Sequence, residues 1–224
     1  MRQEICALCG TRNANTREHI PPRGIFPNPR PSDLITVPAC YECNNNSSRL
    51  DESFLVHLGM HVGSDEGVYR RVLEDRALPA LKHNTRLRNW IVSRMRPANI
   101  LGPDNNVIGE VSLGLWDSEA HSAVIEKCIR GLHYHHYGEI LMENTKVKTY
   151  YFHNLSPEIL RESMNWASNS VGAGQFVYKY TSASNDSASM SLWILQFFDR
   201  HWAGGQTLTK LDGAQATRTD PERL

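Results

Sequence analysis

A chain of 224 residues can bury a substantial core, either as one domain or as a small module joined to a larger one. Its 24 Lys and Arg balance its 24 Asp and Glu, so no global field attracts a polyanion, and any nucleic-acid affinity must come from local patches. No apolar window approaches the length needed to cross a bilayer, and the opening MRQEICALCG has no apolar run ahead of a small-residue cleavage site; a soluble cytoplasmic protein with no membrane partner is expected.

Four of the five cysteines form two Cys-x-x-Cys pairs, Cys6 with Cys9 and Cys40 with Cys43. Each pair suits a tight turn that points two thiolates at one ion, and two pairs complete a closed tetrahedral site, so the spacing predicts a structural Zn²⁺ rather than a disulfide framework. Cys128 stands alone in a helical pattern and is not expected to be a ligand.

Between the pairs, the polar run GTRNANTR is turn-rich, and Glu18-His19-Ile20 is a short extended piece stopped by Pro21-Pro22. The stretch RGIFPNPRPSD, with Pro27, Pro29 and Pro31, predicts an irregular loop anchored by Phe26. Leu34 to Val37 reads as a strand that returns the chain to the second cysteine pair. Helical periodicity then begins, with Leu50, Phe54 and Leu58 on one face, Ser47 or Ser48 as cap, and Asp51 and Glu52 in an early turn. His57 and His61 lie one turn apart on this helix, without the glutamate of a His-Glu-x-x-His site, and are expected to pack.

A second helical region, punctuated at Pro79 and ended by Pro97, carries an arginine-rich run that includes Arg70, Arg71, Arg86 and Arg88. Guanidinium groups favour phosphate contact, so these four are candidate nucleic-acid contacts. Beyond the turn signals of PANILGPDNN, NVIGEVSLGLW reads as a strand, SEAHSAVIEKCIRGLHYHHYGEIL as a long amphipathic helix and KVKTYYFH as a strand. Ser156 and Pro157 open a further helix, and GQFVYKYTS and SMSLWILQFF are strands separated by ASNDSA. His133, His135 and His136 sit near a helix end, where packing or hydrogen bonding is the expected role. The last stretch, GGQTLTKLDGAQATRTDPERL, is poor in large apolar residues and reads as a tail.

Taken together, Cys6-x-x-Cys9, Glu18-His19-Ile20-x-Pro22, Asp33-Leu34 and Cys40-x-x-Cys43-Asn44 resemble the HNH endonuclease family over about residues 6 to 56. The resemblance implies a ββα-metal module in which His19 is the general base. Glu18, in place of the usual aspartate, and Asn44 would hold a catalytic Mg²⁺ or Mn²⁺. Asp33 stands where the family has the middle asparagine that holds the loop positioning the histidine, and Ser47 where many members have lysine. The implied reaction is hydrolysis of nucleic-acid phosphodiesters, DNA foremost, in a setting such as phage defence or mobile-element biology. The rival expectation is a zinc-stapled nucleic-acid-binding or scaffold protein that does not cleave.

The expected fold class is α+β. Its parts are a zinc-braced ββα-metal module over 1–63, a basic helical connector over 64–98, a domain with a mostly antiparallel sheet over 99–203, and a flexible tail over 204–224. The C-terminal domain is the expected place for a homodimer or partner-protein contact.

Overall fold

Two antiparallel strands open the fold, β1 (Thr16–Ile20) and β2 (Ile35–Ala39), with Glu18 opposite Val37 and His19 opposite Thr36. The period of two divides β1: Glu18 and Ile20 are buried, whereas Arg17 is exposed and His19 half-buried. The proline-rich loop between the strands is pinned by Phe26, which is fully buried against Phe198, as expected. The computed structural model describes residues 4–63, 66–142, 145–185 and 188–210.

From β2 the chain enters a short helix, α1 (Tyr41–Asn45), and then α2 (Ser48–Val62). Ser47 occupies the cap position of α2, but its hydroxyl makes no cap hydrogen bond. It lies instead 3.1 Å from the Asn44 carbonyl and 3.2 Å from Asp51 Oδ2.

The helical region that follows is broken into α3 (Val68–Arg71), a π-helical segment (Val72–Ala77), α4 (Leu78–His83) and α5 (Thr85–Val92). Pro79 donates no amide hydrogen bond and its ring crowds the preceding turn, so the wider winding sits directly ahead of it. Asn84 restarts the helix by accepting from Leu87 N at 2.9 Å. A two-stranded hairpin, β3 (Arg96–Leu101) and β4 (Val107–Leu113), leads to the longest helix, α6 (Ser118–Tyr137). Asp117 caps α6 by accepting from Ala120 N at 3.0 Å, and Gly138 ends it with the positive φ that a Cβ would disfavour.

The remaining elements are β5 (Lys146–Phe152), α7 (Pro157–Glu162), β6 (Ala167–Val171), β7 (Phe176–Ser184), β8 (Ala188–Phe197) and β9 (His201–Lys210). Ser156 caps α7, as the Ser-Pro pair predicts. The five strands form a wholly antiparallel sheet in the order β5-β9-β8-β7-β6. The fold is thus α+β. Residues 204–210, assigned to a tail from their small side chains, are part of the interior strand β9. Smallness is what that position requires, because a Cβ on Gly205 would stand 2.6 Å from Ile129 Cδ1 and from the Lys148 carbonyl. The rest of the expected tail lies outside the described residues.

One apolar cluster runs from Cys6, Ile20, Phe26 and Val37 through Phe54 and Leu58 to Ile125, Ile129, Trp193 and Phe197. It therefore crosses the expected boundary between the N-terminal module and the C-terminal domain. Helix α6 does the joining: it packs on α2, β1 and β2 as well as on β5 and β9. At its closest approach a Cβ on Gly131 would meet Ile20 Cγ1 at 2.5 Å, so the residue type sets how near α6 comes to β1. Among the described residues no helix is long and apolar enough to cross a membrane.

Candidate metal centre and candidate active site

The four paired cysteines converge. Their sulfurs all lie within 4.8 Å of one another, and among the described residues they are the one group of three or more His, Cys, Asp or Glu ligands that does so. The geometry is made locally. Ala7 N donates to the Pro38 carbonyl at 2.9 Å, hanging the first turn on β2, and Cys43 N donates to Cys40 Sγ at 3.4 Å within the second. Arg12 covers the outside, with Nε 3.2 Å from Cys40 Sγ and Nη2 3.6 Å from Cys43 Sγ. A hydrogen bond from Cys43 pulls the Cys6 thiol down and pushes that of Cys43 up, the behaviour of two sulfurs sharing one proton. All-sulfur donors at this spacing fit a tetrahedral thiolate-seeking ion such as zinc, and the guanidinium offsets the excess negative charge of four thiolates. Cys128 is buried away from this group in α6, where burial pushes its thiol up.

Next to this centre lies a cleft of about 570 Å³ lined by residues of β1, the proline-rich loop, α1, α2 and the π-helical segment. Glu18, His19 and Asn44 all line it, so the adjacent pair on β1 meets a residue of α1 that is distant in sequence. Asn44 is held by two hydrogen bonds from Nδ2, to Thr16 Oγ1 at 3.1 Å and to the Arg17 carbonyl at 3.2 Å. Thr16 in turn donates to the Ala39 carbonyl at 2.9 Å, which assigns the Asn44 nitrogen and leaves its amide oxygen as the acceptor or ligand atom. Burial lowers the pKa of His19, and the nearby Arg23 and Arg30 charges lower it further, so the imidazole is neutral at pH 7.

Four arginines line the cleft: Arg17, Arg23, Arg30 and Arg76. Arg76 is fixed by a 2.8 Å hydrogen bond from Nε to the Gly24 carbonyl. The predicted contacts Arg70, Arg71, Arg86 and Arg88 lie elsewhere. Arg70 pairs with Glu74 at 2.9 Å, Arg71 donates to the Asn28 carbonyl at 3.1 Å, Arg86 lines a separate pocket beside Trp90, and Arg88 is exposed on α5. Sequence reasoning passed over Arg23 and Arg30 because they stand singly among prolines; the available signal was that both lie in the loop that Phe26 anchors.

Two further residues were missed. Asp51 also lines the cleft, and Lys127 of α6 reaches in behind it. The Lys127 ammonium lies 2.6 Å from both Asp51 oxygens, 3.0 Å from Ser47 Oγ and 3.6 Å from Glu18 Oε1. Burial raises the pKa of Glu18, an effect that Lys127 opposes. Glu18 Oε2 is buried without a hydrogen-bond partner, a costly arrangement unless something binds it.

Asp33 stands outside this cleft. Its carboxylate accepts from Gly172 N at 3.1 Å with each oxygen, so it fastens the proline-rich loop to the turn between β6 and β7. His57 and His136 pack, as expected: His57 Nδ1 lies 2.8 Å from the Ser53 carbonyl, and His136 sits between the Tyr178 and Tyr180 hydroxyls at 2.9 and 3.0 Å, whereas His61 and His135 are exposed. Comparison with protein-family models, with curated proteins and with solved structures returned no match.

Proposed function

We propose that the chain is a metal-dependent endonuclease of the HNH type that hydrolyses phosphodiester bonds in nucleic acid, with DNA as the first substrate to test. The observation that carries this reading is His19, kept neutral in a cleft lined by four arginines and by Glu18, Asp51 and Asn44. The arginines supply the local positive field that the balanced composition conceals, and their planar forks match phosphate oxygens. His19 has a free lone pair with which to take a proton from water.

The buried, unpartnered Glu18 Oε2 and the Asn44 amide oxygen are the donors that would hold Mg²⁺ or Mn²⁺, with Asp51 beside them. When bound, such an ion supplies charge neutralisation at the scissile phosphate and the leaving oxygen. Zinc at the four cysteines has a structural role in this reading, since its closed sulfur set leaves no position for substrate. Thiolates of this kind suit a reducing compartment and hence the cytoplasm.

A second reading, nucleic-acid binding without cleavage, draws on Lys127, whose ammonium already places a positive charge beside Glu18 and Asp51. Incubation of supercoiled plasmid with the protein and Mg²⁺ or Mn²⁺, with EDTA as control, separates the two. Metal-dependent nicking that His19→Ala removes supports the nuclease; binding without nicking under every metal supports the rival.

A further inference from the structure

The cleft carries two sets of charge. The charges felt at Glu18 are those of Lys127 and Asp51, whereas those felt at His19 are Arg23 and Arg30 of the proline-rich loop. Arg76 joins the basic set from a different element. The π-helical segment docks on α2 through Val72 and Ala77, both fully buried, and it comes close at Gly59, where a Cβ would stand 2.6 Å from Ala77 Cβ. Single π-helical turns recur at functional sites. This one delivers Arg76 to the loop, where Nε donates to the Gly24 carbonyl at 2.8 Å. That bond fixes the plane of the guanidinium and leaves its two terminal nitrogens without a hydrogen-bond partner among the described residues. The Arg23 and Arg30 side chains make neither a hydrogen bond nor an ion pair among the described residues.

Burial lowers the pKa of Arg76 and the Arg30 charge lowers it further, so the two guanidiniums stand near enough to repel; Asp75 offsets only part of this. Both line the same cleft. Two like charges held together, one by a fixed hydrogen bond and neither by an ion pair, form a seat for an anion, and a pair of planar forks selects phosphate. Arg30 acts on both His19 and Arg76, whereas Arg76 is not among the charges that act on His19, so the seat extends away from the general base. A phosphate held by Arg76 is therefore not the one under attack. We infer that Arg30 and Arg76 seat a second phosphate of the same strand, bound and not cut, and that the cleft selects a substrate with a phosphate flanking the scissile one. The flanking role rests on the proposed nuclease activity; the seat itself does not.

Isothermal titration of the full, zinc-loaded chain with inorganic phosphate, without added Mg²⁺ or Mn²⁺, tests the seat without any cleavage. One phosphate should bind, and Arg30→Ala and Arg76→Lys should each weaken it about tenfold. Arg30→Ala removes a guanidinium that bonds to nothing else in the described chain, so its loss reads binding and not folding. Arg76→Lys keeps the charge and removes the fork. The flanking role is read from inhibition of plasmid nicking by two dinucleotides, TpT with its single phosphodiester and pTpTp with a phosphate at each end. The second should inhibit the parent at least about tenfold better than the first, and that ratio should fall toward one in Arg30→Ala. Phosphate that does not bind, or that binds Arg30→Ala as it binds the parent, overturns the seat. Equal inhibition of the parent by TpT and pTpTp overturns the flanking role. A parent that binds phosphate through Arg30 and Arg76 but nicks no plasmid supports the seat and overturns the nuclease reading, and the flanking role with it.

Discussion

Lys127 and Asp51 are joined by a 2.6 Å ion pair that links the middle of the longest helix to the candidate active site. The two residues are 76 positions apart, and the ammonium side of the pair is almost fully buried. In this way α6 sets the charge balance of a cleft formed by the N-terminal residues. Removal of the cation leaves Glu18 and Asp51 facing each other uncompensated. Lys127→Met should therefore destabilise the protein by about 3–5 kcal/mol, the cost of breaking a buried pair, whereas Lys127→Arg should retain most of the stability. Urea denaturation of the two variants beside the parent checks this; equal midpoints for Lys127→Met and the parent would mean that the pair is not needed.

Arg12 provides a second prediction, at the cysteine cluster. With its guanidinium on the Cys40 and Cys43 sulfurs, Arg12→Ala should weaken zinc retention about 10–100-fold without changing the stoichiometry of one ion per chain. Chelator competition followed by elemental analysis measures it. Cys43→Ser should lose the ion and loosen the two Cys-x-x-Cys turns that it ties together, while Ile20, Phe26 and Val37 keep their place in the apolar cluster. Cys128→Ser should keep the full complement.

Much of this arrangement was legible in the sequence. The paired Cys-x-x-Cys spacing located the cysteine cluster, and the prolines bounded β1 and the loop. The Ser47-Ser48 pair marked the start of α2, although Ser47 makes no cap hydrogen bond, and Ser156 that of α7, which it does cap. What escaped was set by tertiary contact. Lys127 occupies one position in an amphipathic helix, and nothing local shows that it points at Asp51. Arg23 and Arg30 became neighbours of His19 only once Phe26 was buried against Phe198. Asp33, placed by resemblance where a residue holds the loop, fastens the proline-rich loop through Gly172 N from outside the cleft, to a partner 139 positions away that no local pattern names. Most of strand β9 was taken for a tail because Gly204 and Gly205 look like loop composition; the sheet needs them small where Ile129, Phe152 and the Lys148 carbonyl crowd in.

A third prediction concerns acid stability. His121 and His201 are buried with their Nε2 atoms 3.2 Å apart, and burial lowers both pKa values well below the ordinary value of about 6.5. Below that value the unfolded chain takes up protons that the folded chain refuses. Stability should therefore fall with pH from about 6.5 downward, by about 1.4 kcal/mol per pH unit for each such histidine, and be insensitive to them above neutrality. His201→Gln should flatten the slope by one such contribution. Denaturant midpoints measured between pH 4.5 and 7.5 test the sign; a parent that gains stability on acidification would contradict it.

The cleft arginines and the exposed arginines of α5 make opposing claims on nucleic acid. Arg23→Glu with Arg30→Glu should weaken DNA binding for all sequences alike and lower the slope of log affinity against log salt by about two, since each contact releases roughly one counterion. Arg86→Glu with Arg88→Glu should have the smaller effect, because neither lines the cleft. Fluorescence anisotropy across a salt series decides between the two pairs; a larger loss from the α5 pair would move the binding surface away from His19.

The most direct test of the whole account is plasmid cleavage by His19→Ala, measured across a Mg²⁺ and Mn²⁺ titration beside Glu18→Gln, Asn44→Ala and a mock purification. A general base contributes roughly a factor of 10² to 10⁴, so His19→Ala should lose at least about a hundredfold in rate while keeping its zinc, its fold and its DNA affinity. That loss should persist at high metal concentration, whereas the Glu18 and Asn44 variants should recover in part as the ion is raised. A His19→Ala protein that cuts as fast as the parent would contradict the assignment.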